Sequence, residues 1–557
     1  MKADIVLTNG KIYCVDPQHS MVEAMAVKDE KIIFVGSDIA AHQYVDSATT
    51  IIDLHGKLVM PAFIDGHCHY SISVETVCGV DLKDVNQPAD YLDALKTFHV
   101  ANPATKQIRG KGFLEAVYPG KGPKKEDLDD ISNDIPIIIY SESFHSLWCN
   151  SFALNLAGIT AETPDPENGR IERNEDGSPS GTLREKAMNM VFDKLPDWEI
   201  EQYEKGILYY QDLALKLGYS TAYDPWLDMR GRNAIEAAKR LDEKGLLKMT
   251  FKAAYFASPD EDIEQVTRLV AQREKDNRGD KFHIEAVKFF TDGTIEAGTA
   301  GLLFPYKGHL AVDKKENDTG DKNWETSRLQ RVMAEVDKAG FQIHMHAIGD
   351  GAVRQCLDGF EHVLTVNGRR DSRHCIAHST LCSAEDLLRY QSLNVGVMLN
   401  VYWAENDENM HVMKGWLGDN YPTTLYQIQS YFDSGALVTN SSDYPVTGEP
   451  LPFAGIETGL TRLAPENYHP WVRNYDDPKF KTVPNPEECS NLQDLIESFT
   501  ISQAKQNFME NITGSLEIGK KADFIIVDKN IFDIAMTDIG KAEVQSTYIN
   551  GLEVFHR

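Results

Sequence analysis

The sequence has no apolar run approaching the roughly 20 continuous residues that cross a membrane. Its first segment, MKADIVLTNGKIYCVD, lacks both the apolar stretch and the small-residue cleavage pattern of a secretory signal. The eight cysteines are scattered and form no CxxC pair, which is typical of reduced, mostly buried thiols. We therefore expect a cytoplasmic protein without a membrane partner.

Positive charge is scarce. The chain has 56 Lys and Arg residues against 85 Asp and Glu residues, and its formal net charge is -29. Nucleic acids are bound through clustered Lys and Arg, so this balance argues against a nucleic-acid partner, although it also fits simple solubility. The 557 residues, 42% of them hydrophobic, suit a globular protein with a large domain and a smaller satellite.

Both ends of the chain are rich in short β-type runs. Residues 1–58 contain several such runs separated by glycines, and the carboxyl-terminal segments ADFIIVDKN and QSTYINGLEVF have the same character. In the second of these, Asn550-Gly551 is a strong hairpin signal. We predict that residues 1–58 and 505–557 form one composite domain, a small β-sandwich.

The middle of the chain alternates short apolar runs with helical stretches. The runs IPIIIY, MTFKAAYF, IEAVKFF, FQIHMHA, HCIAHS, NVGVMLN and ALVTNSS are typical of buried parallel strands. SRLQRVMAEVDKAG has apolar residues at helical spacing and a terminating glycine. This alternation predicts an α/β fold, a (β/α)₈ TIM barrel over residues 59–504. Insertions around 80–200, rich in Pro, Gly and charge, are expected to be long excursions over the barrel mouth.

Several apolar runs end in histidines or an aspartate. The segments are IDGHCHY, IHMHAIGD, RHCIAHS and NSSDYPV, and the side chains are His67, His69, His344, His346, His374, His378 and Asp443. Residues two apart on a strand point to the same side, so His67 and His69 can reach one ion together. Parallel strands of a barrel converge at their carboxyl ends. A lone histidine is more often a core residue, but the joint pattern predicts a site for zinc or a similar divalent ion.

The ordered motifs resemble those of the amidohydrolase superfamily, and within it the amidohydrolase-3 family of N-substituted formamide deformylase-like and YtcJ-like proteins. The resemblance runs over nearly the whole chain, from MPAFIDGHCHY through FHSLWCNSFAL, PSGTLREKA, AVKFFTDGTIEAGTA, HMHAIGDGAV, RHCIAHS and SSDYPV to GSLEIGKKADFIIVD. It implies a hydrolase that holds one or two divalent ions, with zinc favoured, and acts on a small-molecule substrate. Homo-oligomers are common among such barrels, so self-association is an open expectation by analogy.

The resemblance also implies roles for individual residues. The implied metal ligands are His67, His69, Lys288, His346, His378 and Asp443. Lys288 stands where many of these enzymes carry a carboxylated lysine that bridges two metals, and carboxylation would replace an unfavourable positive charge beside the ions. Asp443 is the implied catalytic residue, which takes a proton from the attacking water and passes it to the leaving amine. The implied substrate-binding residues are His145, Trp148 and Asp292, and His344 is expected to play a supporting role.

Three segments depart from the family pattern, and all lie where substrate or supporting contacts are expected. Ser143-Phe144 precedes His145 where an acidic residue and a glycine are usual, Ala377 stands where a glutamate is usual, and Asn400 falls in the segment where Gln-Pro is usual. The substrate is therefore less determined than the metal site. Three functions stay open: hydrolysis of an amide-type C–N bond, deamination of a nucleobase-like ring, and a non-catalytic, metal-binding regulatory role.

Overall fold

The computed structural model describes residues 2–557 except 83–84, 86, 119–120, 143, 167–168, 230, 313, 420 and 467–476. The chain divides into two compact units. The first comprises Met1–His69, Gln211–Leu227 and Leu241–Arg557, and the second comprises Tyr70–Tyr210 and Asp228–Arg240. Among the described residues, no helix combines the length and the apolar character that crossing a membrane requires.

Eight parallel strands form the barrel of the first unit. In chain order they are β1 (Phe63–Asp65), β2 (Tyr219–Asp224), β3 (Thr250–Phe256), β4 (Phe282–Phe290), β5 (Gln342–Ala347), β6 (Cys375–His378), β7 (Gly396–Leu399) and β8 (Val438–Asn440). Each pairs in parallel with the next, from β1 to β8. The predicted (β/α)₈ barrel is confirmed.

The seam between β1 and β8 is closed by individual hydrogen bonds rather than by a ladder in the described part of the chain. Asp65, at the end of β1, accepts a hydrogen bond from the backbone N–H of Ser442 at 3.1 Å. The backbone N–H of Asp443 donates to the carbonyl oxygen of His67 at 2.8 Å. These bonds tie the loop after β8 to the segment after β1, so the residues of both ends lie beside each other.

Helices alternate with these strands. The α-helices of the described chain are Asp38–Ala41, Ser73–Cys78, Pro88–Ala101, Lys125–Asp129, Ser151–Leu156, Asn189–Phe192, Ile200–Lys216, Asn233–Glu243, Glu264–Asp276, Thr326–Lys338, Asp350–Asn367, Ala384–Leu393, Glu408–Leu417, Ile428–Asp433, Pro452–Thr461, Leu492–Phe499 and Ile501–Gln506. Helix Thr326–Lys338 matches the predicted helical stretch. Glu325 caps its first turn by accepting hydrogen bonds from two backbone N–H groups, and Gly340 follows its end at φ 80°.

The chain ends form two further sheets of the first unit, and the second of them combines strands of both ends. One has the strand order Lys31–Gly36, Ala24–Lys28, Ile5–Thr8, Thr50–Asp53; the other has the order Leu552–His556, Val544–Ile549, Phe524–Val527, Leu58–Pro61, Lys11–Tyr13, Met21–Val22. Their common core includes Leu7, Met25, Val59, Phe524 and Tyr548. The predicted sandwich of both termini is confirmed, whereas the domain boundaries after residues 58 and 504 stay a prediction.

The second unit contains a six-stranded sheet of its own. Its order is Gly169–Arg173, Pro179–Glu185, Ser146–Cys149, Ile137–Ser141, Ile108–Phe113, Val80–Asp81. The run IPIIIY is thus a buried strand with a parallel neighbour, but it belongs to this sheet and not to the barrel. The segments expected to be excursions contain strands. These strands were not predicted because IRGKGF and GRIER carry glycine and charge, which hide the alternation typical of a strand.

Candidate metal centre

Three buried donor groups converge at the carboxyl ends of the barrel strands. His67, His378 and Asp443 each offer one ligand atom, and these atoms all lie within 4.8 Å of one another. The Nε2 atom of His67 is 3.4 Å from Oδ1 of Asp443. Zinc bound tetrahedrally at its usual ligand distances spaces its ligands roughly 3.3–3.6 Å apart. The residues present therefore fit a divalent ion.

His69 joins the same cluster from the segment after β1. Its Nε2 atom lies 3.2 Å from Oδ1 of Asp443, and its Nδ1 atom lies 3.4 Å from Oδ1 of Asp224 at the end of β2. The imidazole is thus held between two carboxylates. Nδ1 thus faces the supporting carboxylate of Asp224, and Nε2 faces the donor cluster. Metal-ligating histidines are commonly held in this way, with one ring nitrogen toward the metal and the other toward a supporting group.

His67 is supported from behind by His344. The Nδ1 atom of His67 and the Nε2 atom of His344 are hydrogen-bonded at 3.0 Å, which leaves Nε2 of His67 facing Asp443. The other ring nitrogen of His344 lies 3.4 Å from Sγ of Cys375, and its ring stacks on Tyr223 at 5.2 Å. His344 is buried and both of its ring nitrogens have partners, in agreement with the supporting role expected for it.

His378 is supported by Asn400 at the end of β7. Its Nδ1 atom is 2.7 Å from Oδ1 of Asn400, and the amide nitrogen of Asn400 donates to Ser441. The ring of His378 also stacks on Trp403 at 5.4 Å. The sequence showed Asn400 only as a departure from the family pattern; in the structure it orients a candidate metal ligand.

The supporting residues Asp224 and Asn400 were not singled out as functional from the sequence. Asp224 ends the strand segment YSTAYD, as His67 and Asp443 follow strand segments of their own. That signal was available and was overlooked. For Asn400 no local signal exists, because its role depends on the side-by-side placement of β6 and β7.

His346 and Lys288 lie beside the three converging donors, on the adjacent strands β5 and β4. The ring of His346 is 4.7 Å from that of His378 and stacks on Phe290 at 4.0 Å. Lys288 is buried, 2% exposed, and pairs with His344 in the ladder between the two strands. Every metal ligand implied by the sequence is thus placed in the same end of the barrel.

Burial keeps several imidazoles of the centre neutral. It lowers the pKa of His378 to about 4, although the Asp443 carboxylate acts in the opposite direction. Burial also lowers the pKa values of His67 and His344, and the Lys288 ammonium adds to this effect. Neutral imidazole is the form that binds metal, so these side chains are in the ligating state near neutral pH.

Unlike the pKa values of His67, His344 and His378, the pKa of His69 is raised. Burial disfavours the charged imidazole, but hydrogen bonds to Asp224 and Asp443 outweigh it and raise the pKa of His69 to about 9. Burial likewise raises the pKa of Asp443, yet the hydrogen bond from His69 and the neighbouring positive charges bring its pKa below the usual value. Asp443 is therefore a carboxylate at neutral pH.

Lys288 and Asp292 follow each other closely at the end of β4. Burial lowers the pKa of Lys288 to about 8, against the raising effect of Asp443. Burial raises the pKa of Asp292 to about 7, while its hydrogen bonds with backbone N–H groups lower it. Asp292 accepts hydrogen bonds from the N–H groups of Gly301 and Gly349 at 2.9 Å. It thus joins the loops after β4 and β5; its substrate role stays a prediction.

The backbone is strained at two of the donors. His378 has φ 74° and Asp443 has φ 54°, values uncommon outside glycine. Such residues persist only where the surrounding structure enforces them, and they cluster at active sites. Next to His67, Gly66 has no room for a side chain, since a Cβ there would lie 2.2 Å from Oε1 of Gln503. The segment around the donors is closely packed.

His145 and Trp148, predicted to bind substrate, lie in the second unit. His145 is half-buried, with Nδ1 at 3.0 Å from both carboxylate oxygens of Glu185. Trp148 is fully buried, its Nε1–H donates to the carbonyl oxygen of Lys124 at 2.7 Å, and its ring packs against Phe113. Their role toward substrate stays a prediction. Ser143, one of the departures, lies outside the described residues.

The sequence profile of the amidohydrolase family matches residues 50–555. The chain belongs to this family. It is 30% identical over 424 residues to the exoenzymes regulatory protein AepA of Pectobacterium carotovorum subsp. carotovorum, a match that covers 73% of this chain and 87% of that protein. It is 24% identical over 575 residues to the N-substituted formamide deformylase of Arthrobacter pascens, covering 100% of this chain and 98% of the relative.

A solved structure shows the same fold. The crystal structure of an uncharacterized metal-dependent hydrolase from Pyrococcus horikoshii OT3 superimposes with a TM-score of 0.74 at 24% sequence identity, covering 96% of this chain and 99% of that chain. Family membership identifies the protein as a metal-dependent hydrolase.

Asn400→Ala is expected to weaken zinc binding by about 10- to 100-fold, because an amidohydrolase histidine that loses its supporting partner is no longer held in the ligating orientation. Zinc affinity is measured by competition with a chelating dye. Asn155→Ala removes an exposed amide from the same protein and serves as the matched control. Equal zinc affinity in all three proteins would show that Asn400 does not position His378.

Proposed function

We propose that this amidohydrolase cleaves the C–N bond of a small amide-type molecule, with an N-substituted formamide as the substrate class. The observation that carries the proposal is the convergence of His67, His69, His378 and Asp443 in one buried cluster. Each imidazole is held on its far nitrogen by another side chain. The similarity to a formamide deformylase over the entire chain supports the choice of substrate class.

The donor set favours zinc. Imidazole nitrogens together with a carboxylate oxygen suit this ion, and His67, His69, His346, His378 and Asp443 would hold it. Bound there, a divalent ion would polarise the carbonyl of the substrate and lower the pKa of a water molecule toward about 7. The neutral state of the buried His67 and His378 means that these two ligands need not lose protons first.

Asp443 is proposed to move the proton that hydrolysis requires. Its Oδ1 atom faces the imidazoles of His67 and His69, and its lowered pKa makes it a proton acceptor at neutral pH. As a water oxygen bonds to the carbonyl carbon, Asp443 takes one of its protons. It then gives that proton to the nitrogen while the C–N bond breaks, which releases an amine and, from a formamide, formate.

Lys288 is proposed to act as a carbamate. Burial lowers the pKa of its ammonium to about 8, so a neutral amine is accessible near physiological pH. The amine can bond to the carbon of CO₂ and release one proton, which replaces the positive charge with a negative one. A carbamate would supply an anionic oxygen donor beside the cluster, where an ammonium would oppose a cation.

The proposal is tested by loading the metal-free protein with zinc, with and without bicarbonate, and screening N-substituted formamides, N-acyl amines, ureas and cyclic amides. We expect equal amounts of formate and amine from a formamide, and a higher rate when bicarbonate is present. Lys288→Met is the matched control and should not respond to bicarbonate.

Two outcomes would contradict the proposed function. Zinc-loaded protein that hydrolyses none of these compounds would favour a regulatory role, and release of ammonia from a nucleobase would favour a deaminase. A formamide hydrolysis rate that is the same with and without bicarbonate, together with an unmodified Lys288 in the mass spectrum, would remove only the carbamate.

A further inference from the structure

A cavity opens toward the end of the barrel opposite the metal centre. Its volume is about 370 Å³, and its lining includes Lys252 of β3, Glu285 of β4 and Gln342 of β5, all in the amino-terminal halves of their strands. Gly340, which precedes β5, lines it as well. The volume lies within the range of small-molecule sites. This face of a barrel ordinarily serves stability and carries no active site.

The lining of this cavity carries an excess of positive charge. Lys252, Arg273 and Arg370 line it, against the single carboxylate of Glu285. Lys252 is paired with Glu285 at 2.8 Å, and Arg370 with Asp337 at 2.6 Å. Arg273 donates to a backbone carbonyl, and within the described part of the chain no carboxylate lies at salt-bridge distance from it. One guanidinium charge at the cavity is thus left without a counter-ion.

The electrostatic effect of this excess is visible at Glu285. Burial raises the pKa of this carboxyl, but the charge and hydrogen bond of Lys252, with smaller effects of His283 and Arg273, outweigh burial and bring the pKa below the usual value. Arg273 is thus close enough to act on a carboxylate of the cavity as a positive charge. Lys252 itself is 7% exposed, so its ammonium is shielded from bulk solvent and its field is weakly screened.

The hydroxyl group of Tyr223 is a second, independent feature of the same cavity. Tyr223 lines the cavity and is only 3% exposed. Its hydroxyl has no hydrogen-bond partner among the residues that the structure describes. Buried hydroxyl groups are normally satisfied, and an unsatisfied one costs free energy. A ligand that carries an acceptor oxygen would remove this cost.

We propose that the cavity binds a small oxyanion, a phosphate or a short carboxylate, through Arg273 and Tyr223. A guanidinium that lacks a counter-ion recognises two oxygens of such an anion in a plane. The Tyr223 hydroxyl supplies a further donor to the same ligand. Lys252 and Arg370 strengthen the positive potential from the other sides of the cavity. None of the residues proposed to carry out hydrolysis lines this cavity; Tyr223 borders the metal centre through the contact of its ring with His344.

The test is calorimetric titration of the zinc-loaded protein with inorganic phosphate and, separately, with succinate. Tyr223→Phe is expected to weaken binding by about tenfold, since it removes one hydrogen bond to a charged ligand, and Arg273→Gln by at least about tenfold, since it removes the charge and two hydrogen bonds. Arg268→Gln is the matched control, because Arg268 lies on the same helix, Glu264–Asp276, and pairs with Glu261 at the surface. The tighter of the two anions identifies the class of ligand.

Phosphate could also bind at the metal centre, so His378→Gln is titrated in parallel. Binding that is weakened by Arg273→Gln and Tyr223→Phe but not by His378→Gln or Arg268→Gln supports the proposal. It is overturned if the wild-type protein binds neither anion at millimolar concentration. It is also overturned if affinity is unchanged in Arg273→Gln and Tyr223→Phe, or is reduced only in His378→Gln.

Discussion

Asp443→Asn is expected to lower kcat by about 10²- to 10⁴-fold, the usual effect of removing a general acid–base group. Asn keeps the shape of the side chain and one oxygen in the cluster but cannot accept a proton from water. Because His67, His69 and His378 are unchanged, the variant should still bind zinc. The measurements are kcat for the substrate found in the screen and zinc content per chain by elemental analysis.

The control for this variant is Asp433→Asn, which makes the same change at an exposed position on the helix Ile428–Asp433. It should retain the activity of the wild-type protein. If Asp443→Asn binds zinc and turns over substrate at the wild-type rate, then Asp443 does not transfer the proton. Loss of zinc from the variant would instead assign Asp443 mainly to metal binding.

Protonation of His378 on acidification is expected to lower the free energy of unfolding of the metal-free protein. The folded-state pKa of His378 is about 4, whereas its ordinary value is 6.5. Between these values the unfolded chain binds a proton that the folded chain does not, so stability falls as pH decreases. From about pH 7.5 to about pH 5, His378 alone should cost about 2 kcal/mol.

Other residues of the centre modify this pH dependence. His67 and His344 have lowered pKa values and act in the same direction. His69 acts in the opposite direction, because its pKa is raised to about 9 and its protonated form is stabilised by Asp224 and Asp443. Over the same interval His69 offsets about 1.4 kcal/mol of the loss. Asp292, whose pKa is raised to about 7, also takes up a proton in the folded state and offsets a further part. The contribution of His378 is therefore obtained from the comparison with a variant that lacks it.

The measurement is urea unfolding of the metal-free protein at the two pH values, compared with His378→Gln. The variant should lose about 2 kcal/mol less than the wild-type protein on acidification. His309→Gln, an exposed position, is the matched control and should behave like the wild-type protein. An identical pH dependence in His378→Gln would show that His378 is not held neutral by its surroundings.

The barrel and the candidate donors could be predicted because both depend on patterns in short segments of the chain. Each of His67, His346 and His378 follows or ends a short apolar run, and a parallel barrel brings such ends together whatever the intervening segments do. Asp443 was recognised in the same way. The strand Ile137–Ser141 was assigned to the barrel instead of the six-stranded sheet, because an apolar run does not indicate which strand it pairs with.

Apolar periodicity and the ordered motifs are properties of short segments, so they sufficed to predict the family, the eight-stranded barrel and the candidate donors. The side chains that hold these candidate donors could be identified only in the folded chain. Asn400 reaches His378 because β6 and β7 are neighbours in a defined register. The proposed oxyanion cavity likewise unites Tyr223, Arg273 and Arg370 from distant parts of the chain. Such contacts follow from strand register and helix packing, which no local pattern encodes.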